Sequence, residues 1–329
     1  MTEPDDPRVG DLAEAAILRT ILDAVGSATE AEVGPGDDAA VLRAPDGRVV
    51  ATTDTLVHGP DFRLAWSSGT DLGWKAAAVN LADVAAMGAR PTALLVALAM
   101  PGDTRLSFVR GLAQGLAAAC ATLAPGSAVI GGDLTISSTL TIAVTALGSL
   151  EGRPPVLRSG ARPGDLVALA GDAGVAARGI DLLFARFTDA SGPVRVDRSG
   201  LDADDLAALE AQLRPAPPID LGVEAAAAGA TAMMDVSDGL ALDATRLADA
   251  SGVSLALRTN GVGGDPEWAI DGGEDHALLA TFPAGSPPPG GFRVIGEVLA
   301  RGAHPLLLDG EPRAPRGWDP YRDWDNGRG

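Results

Sequence analysis

Residues 70–100 read TDLGWKAAAVNLADVAAMGARPTALLVALAM and carry the clearest structural signal of the chain. Apolar residues at helical spacing, ended by Gly88 and followed by Pro91, predict a helix over residues 70–87. The run from Ala93 to Met100 is the longest clear apolar segment and predicts a buried strand. A helix that leads directly into a buried strand favours a fold that mixes helices and strands.

The rest of the first half shows the same mixture. The spacing of apolar residues predicts two more helices, over residues 12–25 and 105–123. Short apolar runs bounded by turn residues predict four more strands, at 39–42, 48–53 (ending at Asp54), 127–130 and 139–148. Helices and strands interleave without a regular repeat, so we assign the chain to the α+β class.

A cluster of turn residues, Glu151-Gly152-Arg153-Pro154-Pro155, is the best candidate for a domain boundary. We therefore predict two domains, residues 1–150 and residues 151–329. The second half again alternates the two kinds of element. We predict strands at 166–170, 231–236, 277–282 and 292–298, and helices at 202–213, 220–229 and from 240 to 251.

Composition excludes several classes of protein. The 329 residues include 44 acidic and 25 basic ones, a net charge of −19. A protein that coats nucleic acid or docks on anionic lipid needs a basic face, so neither partner is expected. The N-terminus carries no signal peptide pattern and no run reaches the length of a membrane span, which predicts a cytoplasmic protein. One cysteine excludes a disulfide framework.

Carboxylates grouped with glycine, serine or threonine mark the candidate chemistry. In the first half we predict that three such groups lie in turns where strands begin or end: Asp37-Asp38, Thr52-Thr53-Asp54 and Gly131-Gly132-Asp133. Asp83 differs, because it lies in the apolar helix, either on a solvated face or buried with a partner. In the second half the groups are Asp235-Val236-Ser237-Asp238-Gly239, which opens a helix, and Gly272-Gly273-Glu274-Asp275. The alternative to a functional role for the first group is that Ser237 or Asp238 is simply the N-cap of the helix.

Two absences narrow the chemistry further. Lys75 is the single lysine, so the chain has no Gly-x-x-x-x-Gly-Lys loop for phosphates. The histidines His58, His276 and His304 show no zinc-ligand spacing, and no Gly-x-Ser-x-Gly elbow is present. If the protein handles nucleotide phosphates, divalent metals and arginines must therefore supply the positive charge.

An ordered set of motifs resembles the thiamine-monophosphate kinase family, of the superfamily that includes aminoimidazole ribonucleotide synthetase. The resemblance is strongest to actinobacterial forms and runs from about Gly34 to Tyr321. The motifs are GPGDDAAV (34–41), TTDTLV (52–57), KAAAVNLADVAAMGA (75–89), GGD (131–133), RSGARPGD (158–165), DVSDGL (235–240) and GGEDH (272–276).

The resemblance implies a fold and an assembly. It implies two α+β domains, of which the N-terminal ones of two subunits pair into a shared β-barrel. The resulting homodimer would bind ATP and several Mg²⁺ ions along the N-terminal domain, and the C-terminal α/β domain would complete the nucleotide and substrate site.

The resemblance also implies roles for individual residues. Magnesium ligands would be Asp38, Thr52, Thr53, Asp54, Asp83, Asp133, Asp235 and Asp238. Contacts to ATP would be Gly132, Asp133, Arg158 and Ser237. Contacts to thiamine monophosphate would be Glu274 and Trp318, with Trp318 stacking on its ring. The residues assigned to catalysis are Asp54, Asp133 and Arg158.

Two positions depart from the family pattern. Asp61 stands where members usually carry a histidine that approaches the substrate, and Leu134-Thr135-Ile136 replaces a common Thr-Thr-Arg. A carboxylate at residue 61 repels a phosphate unless a metal bridges the two. We therefore expect Asp61 either to turn away from the substrate or to add a metal ligand.

The implied reaction is the transfer of a phosphoryl group from ATP to thiamine monophosphate, giving thiamine diphosphate, the last step in its biosynthesis. The acceptor phosphate has a second pKa near about 6, so at neutral pH it is already a nucleophile and needs no general base. Direct in-line transfer without a phosphoenzyme follows from this. The alternatives are a non-catalytic protein that binds thiamine phosphates or nucleotides, and another ATP-dependent enzyme of the same superfamily.

Overall fold

The computed structural model describes residues 6–26, 31–34 and 39–318. The helices within these ranges are α1 (Glu14–Val25), α2 (Gly69–Ala86), α3 (Leu106–Leu123), α4 (Val175–Arg186), α5 (Ala203–Leu213), α6 (Ile219–Ala227), α7 (Leu240–Ser251), α8 (Thr259–Val262) and α9 (Pro266–Ala269). The strands are β1 (Ala31–Val33), β2 (Val41–Leu42), β3 (Val50–Val57), β4 (Arg90–Met100), β5 (Ala128–Ile136), β6 (Thr141–Ser149), β7 (Leu166–Ala170), β8 (Thr188–Asp189), β9 (Gly192–Pro193), β10 (Ala232–Val236), β11 (Val253–Leu257), β12 (Ala277–Phe282), β13 (Phe292–Ala300), β14 (Leu306–Leu308) and β15 (Glu311–Pro312).

Two large sheets organise the described chain. The first has the strand order β3-β6-β4-β5, with β4 and β5 parallel and the other pairs antiparallel. The second has the order β10-β12-β7-β13-β11-β14-β15. The predicted mixture of helices and strands is therefore confirmed. All strands of the first sheet come from residues 50–149 and all of the second from 166–312, while the domain boundary at residue 150 stays a prediction.

Helix α2 is the central element of the fold. A capping box begins it, in which Ser68 and Asp71 bond to each other's backbone N–H groups, and Gly88 follows its end in the left-handed conformation (φ 72°). The helix is buried on almost every side, because it contacts α3, strands of the first sheet and strands β10 and β12 of the second. The helix predicted over residues 70–87 is thus confirmed. Because the helix contacts both sheets, its side chains can interact with residues of either one.

Glycines allow α2 and α3 to pack with their backbones almost touching. A Cβ atom added at Gly115 would lie 2.2 Å from the carbonyl oxygen of Thr70, and one at Gly73 would lie 2.0 Å from that of Leu112. Carbonyl groups inside helices cannot move aside, so these positions require glycine.

Replacing Gly115 with alanine is expected to lower the free energy of unfolding by at least about 2 kcal/mol, because the helices must separate. Urea unfolding would measure the change. Gly111→Ala is the matched control on the same helix: its Cβ would meet the Thr70 hydroxyl at 3.2 Å and the Thr70 backbone nitrogen at 3.3 Å, so a shift of a few tenths of an ångström accommodates it. An equal loss of stability in both variants would contradict this account.

By length and apolar composition alone, α3 could cross a membrane. In the fold it packs along α2 and also contacts α1, and Val109, Leu112 and Leu116 are buried in the core beneath the first sheet. The same apolar composition is common in the core helices of globular proteins, so α3 is weak evidence for a membrane span.

The structure corrects two of the predicted turns. The strand expected to end at Asp54 continues to Val57, so Thr52, Thr53 and Asp54 lie in the middle of β3. Likewise Gly131, Gly132 and Asp133 lie inside β5, paired with β4. Gly132 is needed there for close packing rather than for a turn, because a Cβ would lie 1.9 Å from the carbonyl oxygen of Val96.

Candidate functional site

Four of the predicted aspartates converge where α2 passes between the two sheets. Asp54 projects from β3, Asp83 from the last turns of α2, and Asp235 from the end of β10, with Asp238 just beyond it. The charges of Asp235 and Asp238 both act on the Asp54 carboxylate, and those of Asp54 and Asp235 act on Asp83. Residues nearly 200 positions apart in sequence thus form one acidic cluster.

Hydrogen bonds fix the α2 side of this cluster. The hydroxyl of Thr52 donates to Oδ2 of Asp83 at 2.8 Å. The backbone N–H of Asp54 donates to Oδ1 of Asn80 at 3.1 Å, and the Asn80 amide donates to the carbonyl of Ala76. Asp83 is therefore half-buried and has a hydrogen-bond partner in Thr52, whereas its neighbours Leu81, Ala82, Val84 and Ala85 are buried.

His276 completes the β10 side. Its Nδ1 lies 3.1 Å from Oδ2 of Asp235, and both side chains are buried. Burial alone lowers the pKa of His276, but the hydrogen bond to Asp235 and its negative charge raise it above the usual value. Sequence spacing gave no sign of this pair, which forms because antiparallel β10 and β12 are neighbours in the second sheet.

Burial and mutual repulsion raise the pKa values of the clustered carboxylates. The pKa of Asp83 rises to about 7, first because of burial and then because of the charges of Asp235 and Asp54. Burial also raises the pKa of Asp54, as do the charges of Asp235 and Asp238, while His276 opposes them. A site that disfavours its own negative charge favours a bound cation.

The pKa of Asp83 predicts how stability depends on pH. A carboxyl with a raised pKa in the folded state favours folding while it is protonated, and this contribution is lost as pH rises from about 4 through about 7. Without divalent metal, the melting temperature of the wild type should fall over this range more steeply than that of Asp83→Asn. Asp103→Asn, an exposed control, should follow the wild type. Parallel curves for all three proteins would refute the assignment.

A second network holds Asp238. Gly239 is the N-cap residue of α7, so the alternative in which Ser237 or Asp238 serves simply as the N-cap is wrong. Instead Asp243, which is fully buried in α7, accepts the backbone N–H of Asp238 at 3.0 Å. Arg246 donates to the carboxylates of both Asp238 (2.6 Å) and Asp243 (2.7 Å). Neither Asp243 nor Arg246 was singled out from the sequence, although both lie on one face of the predicted helix.

The predicted substrate residues lie beside this loop. The backbone N–H of Glu274 donates to the carbonyl of Ser237 at 2.8 Å, and that of Trp318 donates to the carbonyl of Asp238 at 2.9 Å. Asp61 lies near Glu274, and its Oδ2 accepts the N–H of Val57 at 2.7 Å; both outcomes expected for it toward the substrate stay predictions. Burial and the charge of Glu274 raise the pKa of Asp61.

Other predicted residues lie elsewhere. Thr53 and Asp133 occupy the outer face of the first sheet, away from α2: the Thr53 side chain meets Thr145, and Asp133 pairs with exposed Ala97. Gly132 is beside Asp133 on β5, at the opposite edge of the sheet from β3. Three strand spacings separate these edges, about 14 Å.

Arg158, another predicted ATP contact, also lies away from the acidic cluster. Arg158 is exposed, and its carbonyl accepts the hydroxyl of Ser251 at the far end of α7, about 18 Å from the Asp238 loop by helix length. Asp38 falls outside the described residues. One chain thus does not bring all of the predicted ATP contacts together.

The side chains of this site carry oxygen atoms of the kinds that magnesium prefers as ligands. Mg²⁺ prefers carboxylate and hydroxyl oxygens, and it is commonly held by one or two carboxylates together with water and substrate phosphates. Thr52, Asp54, Asp83, Asp235 and Asp238 supply such oxygens. No three carboxylate or imidazole side chains among the described residues enclose a ready-made ion position. The arrangement therefore suits ions that a polyphosphate helps to bind.

Comparisons with known proteins agree with this geometry. The family described as AIR synthase related protein, N-terminal domain, matches residues 36–150. A thiamine-monophosphate kinase of Mycobacterium tuberculosis is 38% identical, and the match covers 98% of the chain and 94% of that relative. The chain belongs to the thiamine-monophosphate kinase family.

Solved structures of thiamine-monophosphate kinases share the fold. The crystal structure from Stenotrophomonas maltophilia is 29% identical, with a TM-score of 0.76 over 92% of this chain and 98% of that one. A structure described as AaThiL complexed with AMPPCP and TMP is 30% identical, with a TM-score of 0.73 over 95% and 98% of the two chains. The described chain therefore has the mixed α/β fold of the thiamine-monophosphate kinases, and the resemblance inferred from the motifs is confirmed.

Proposed function

We propose that this protein transfers the terminal phosphoryl group of ATP to thiamine monophosphate and releases ADP and thiamine diphosphate. The acidic cluster of Asp54, Asp83, Asp235 and Asp238 is the observation that carries the proposal, because such a cluster suits a metal-bound polyphosphate. Family membership and the complex of AaThiL with AMPPCP, an ATP analogue, and TMP support it.

The chemistry asks the protein mainly to position two anions. The acceptor phosphate is largely dianionic at neutral pH, so no side chain has to remove a proton from it. Several Mg²⁺ ions would neutralise the phosphates when bound. Thr52 and the hydrogen bonds of Asn80 orient the carboxylates of the cluster, and Asp243 with Arg246 orients Asp238. In-line transfer then requires alignment rather than a covalent intermediate.

We propose that two copies of the chain build each complete site. Thr53 and Asp133 lie on the outer face of the first sheet, with Gly132 beside Asp133 on β5, while the acidic cluster lies on the α2 side of the opposite edge. A second copy that pairs with this face would bring a β5 strand to a β3 strand. Leu95, exposed on the outer face, and Ile136, exposed at the free edge of β5, are surfaces that such pairing would cover.

This arrangement is the homodimer with a shared β-barrel that the resemblance implies, because joining two four-stranded sheets edge to edge closes a barrel. We propose a cytoplasmic location as well, since ATP, the co-substrate, is supplied there.

An assay with purified protein tests the function. Mg²⁺, ATP and thiamine monophosphate should give thiamine diphosphate and ADP in equal amounts, measured by chromatography. Thiamine without its phosphate should give no product. Binding of thiamine monophosphate without turnover would favour the non-catalytic alternative. A protein labelled by γ-³²P-ATP in the absence of acceptor would refute direct transfer.

A further inference from the structure

The proposed reaction assigns no role to Lys75, the single lysine of the chain. Lys75 lies in the second turn of α2 and is only 5% exposed, while the other 24 basic residues are all arginine. Burying an ammonium group costs free energy unless it is paired and hydrogen-bonded. A buried lysine in a chain that otherwise uses arginine therefore requires a specific explanation.

Three elements meet at its ammonium group. Nζ of Lys75 forms an ion pair with Oε2 of Glu274, in the turn before β12. Gln212 of α5 is buried beside this ammonium group. In the orientation of its amide that gives both the oxygen and the nitrogen a partner, Oε1 accepts a hydrogen bond from Nζ at 3.0 Å and the amide nitrogen donates to the carbonyl of Ala176 at 3.1 Å. Lys75 thus links α2 and α5 to the turn that carries Glu274.

Glu274 is held in an unusual conformation. Its φ of 73° lies in the left-handed region, which is costly for glutamate and is often found at functional sites. The preceding residue must be glycine, because a Cβ at Gly273 would lie 2.1 Å from the carbonyl oxygen of Ser237. The backbone of this turn is therefore pressed against the loop that carries Asp238.

The two partners differ in exposure. The side chain of Lys75 is 6% exposed, whereas that of Glu274 is 41% exposed. Lys75 therefore contacts the Glu274 carboxylate from the protein interior, and the solvent-facing side of that carboxylate stays accessible. Burial tends to raise the pKa of Glu274, but the charges of Lys75 and His276 outweigh it, so the pKa lies below its usual range. The charge of Lys75 also acts on Asp61.

We propose that Lys75 is a positioning residue that holds the Glu274 carboxylate in one orientation to bind the cationic ring portion of thiamine monophosphate. The inference rests on the proposed function, since the thiazolium ring carries a permanent positive charge that ATP lacks. A compact ammonium suits this position better than the broad guanidinium of arginine, because Gln212 and Glu274 approach it from two sides.

Steady-state kinetics of Lys75→Met test the proposal. The KM for thiamine monophosphate should rise at least about tenfold, while kcat and the KM for ATP change little, because one oriented charge contact is lost. Glu274→Gln should raise the same KM, and the double variant should be no worse than the single ones, since both act through one contact. Lys75→Arg should recover part of the loss. Equal changes in both KM values, or additive effects, would overturn the proposal.

Two measurements keep the result interpretable. Lys75→Met leaves Glu274 without its cation, so if it folds poorly, the neutral pair Lys75→Met/Glu274→Gln provides the comparison. Selective ¹⁵N-lysine labelling gives one side-chain resonance, which should shift in Glu274→Gln and on addition of thiamine monophosphate, but not of thiamine-free inorganic phosphate. A resonance unchanged in all cases overturns the role of Lys75. A wild type without turnover instead overturns the proposed function, whatever the resonance does.

Discussion

Replacing Asp54 with asparagine is expected to lower kcat by about 1,000-fold while leaving the protein folded. The charges of Asp235 and Asp238 act on Asp54, which makes it a member of the acidic cluster that would hold the cations. Asparagine keeps the shape and the hydrogen-bonding capacity, but it removes the negative charge that would hold a divalent cation in the proposed reaction. Formation of thiamine diphosphate at several magnesium concentrations measures the effect.

The same variant should be more stable than the wild type when no metal is present. The pKa of Asp54 is raised, which means that its ionised form is disfavoured in the fold, and a neutral amide removes that repulsion. Differential scanning fluorimetry at pH 8 should therefore give a higher melting temperature for Asp54→Asn, and magnesium should stabilise it less than the wild type. Asp103→Asn, on the exposed turn before α3, should change neither quantity. A destabilised Asp54→Asn would mean that the carboxylate is structural.

Mixing two inactive variants is expected to restore activity if the site is shared between subunits. Asp54 and Asp133 lie at opposite edges of the first sheet, so in a dimer each site would take Asp54 from one chain and Asp133 from the other. Asp54→Asn and Asp133→Asn should each be inactive alone. In an equal mixture half of the dimers are mixed, and each of these has one intact site, which gives about a quarter of wild-type activity.

A matched mixture makes this result specific. Asp54→Asn combined with Asp235→Asn should stay inactive, because both aspartates belong to the same cluster of one chain and each site of the mixed dimer keeps one defect. Differently tagged chains purified as mixed dimers would remove the uncertainty of mixing ratios. Absence of recovery with Asp133→Asn, in dimers shown to be mixed, would contradict the shared site.

Much of the local structure could be predicted from the sequence. The helix of residues 70–87 and the strand that follows it were identified because apolar spacing, Gly88 and Pro91 act over only a few residues. The turns at Thr52-Thr53-Asp54 and Gly131-Gly132-Asp133 were predicted wrongly for the same reason: local composition favours a turn, but pairing with β6 and β4 keeps both segments extended.

The sequence by itself determined the family and the chemistry of the donors, because motifs and residue types are local properties. Only the tertiary structure decided which donors meet. The strand order β3-β6-β4-β5 separates Asp133 from Asp54, and the burial of α2 between two sheets places Asp83 beside Asp235 and Lys75 behind Glu274. These contacts join segments far apart in the chain, and they depend on how whole elements pack, which no short stretch of sequence encodes.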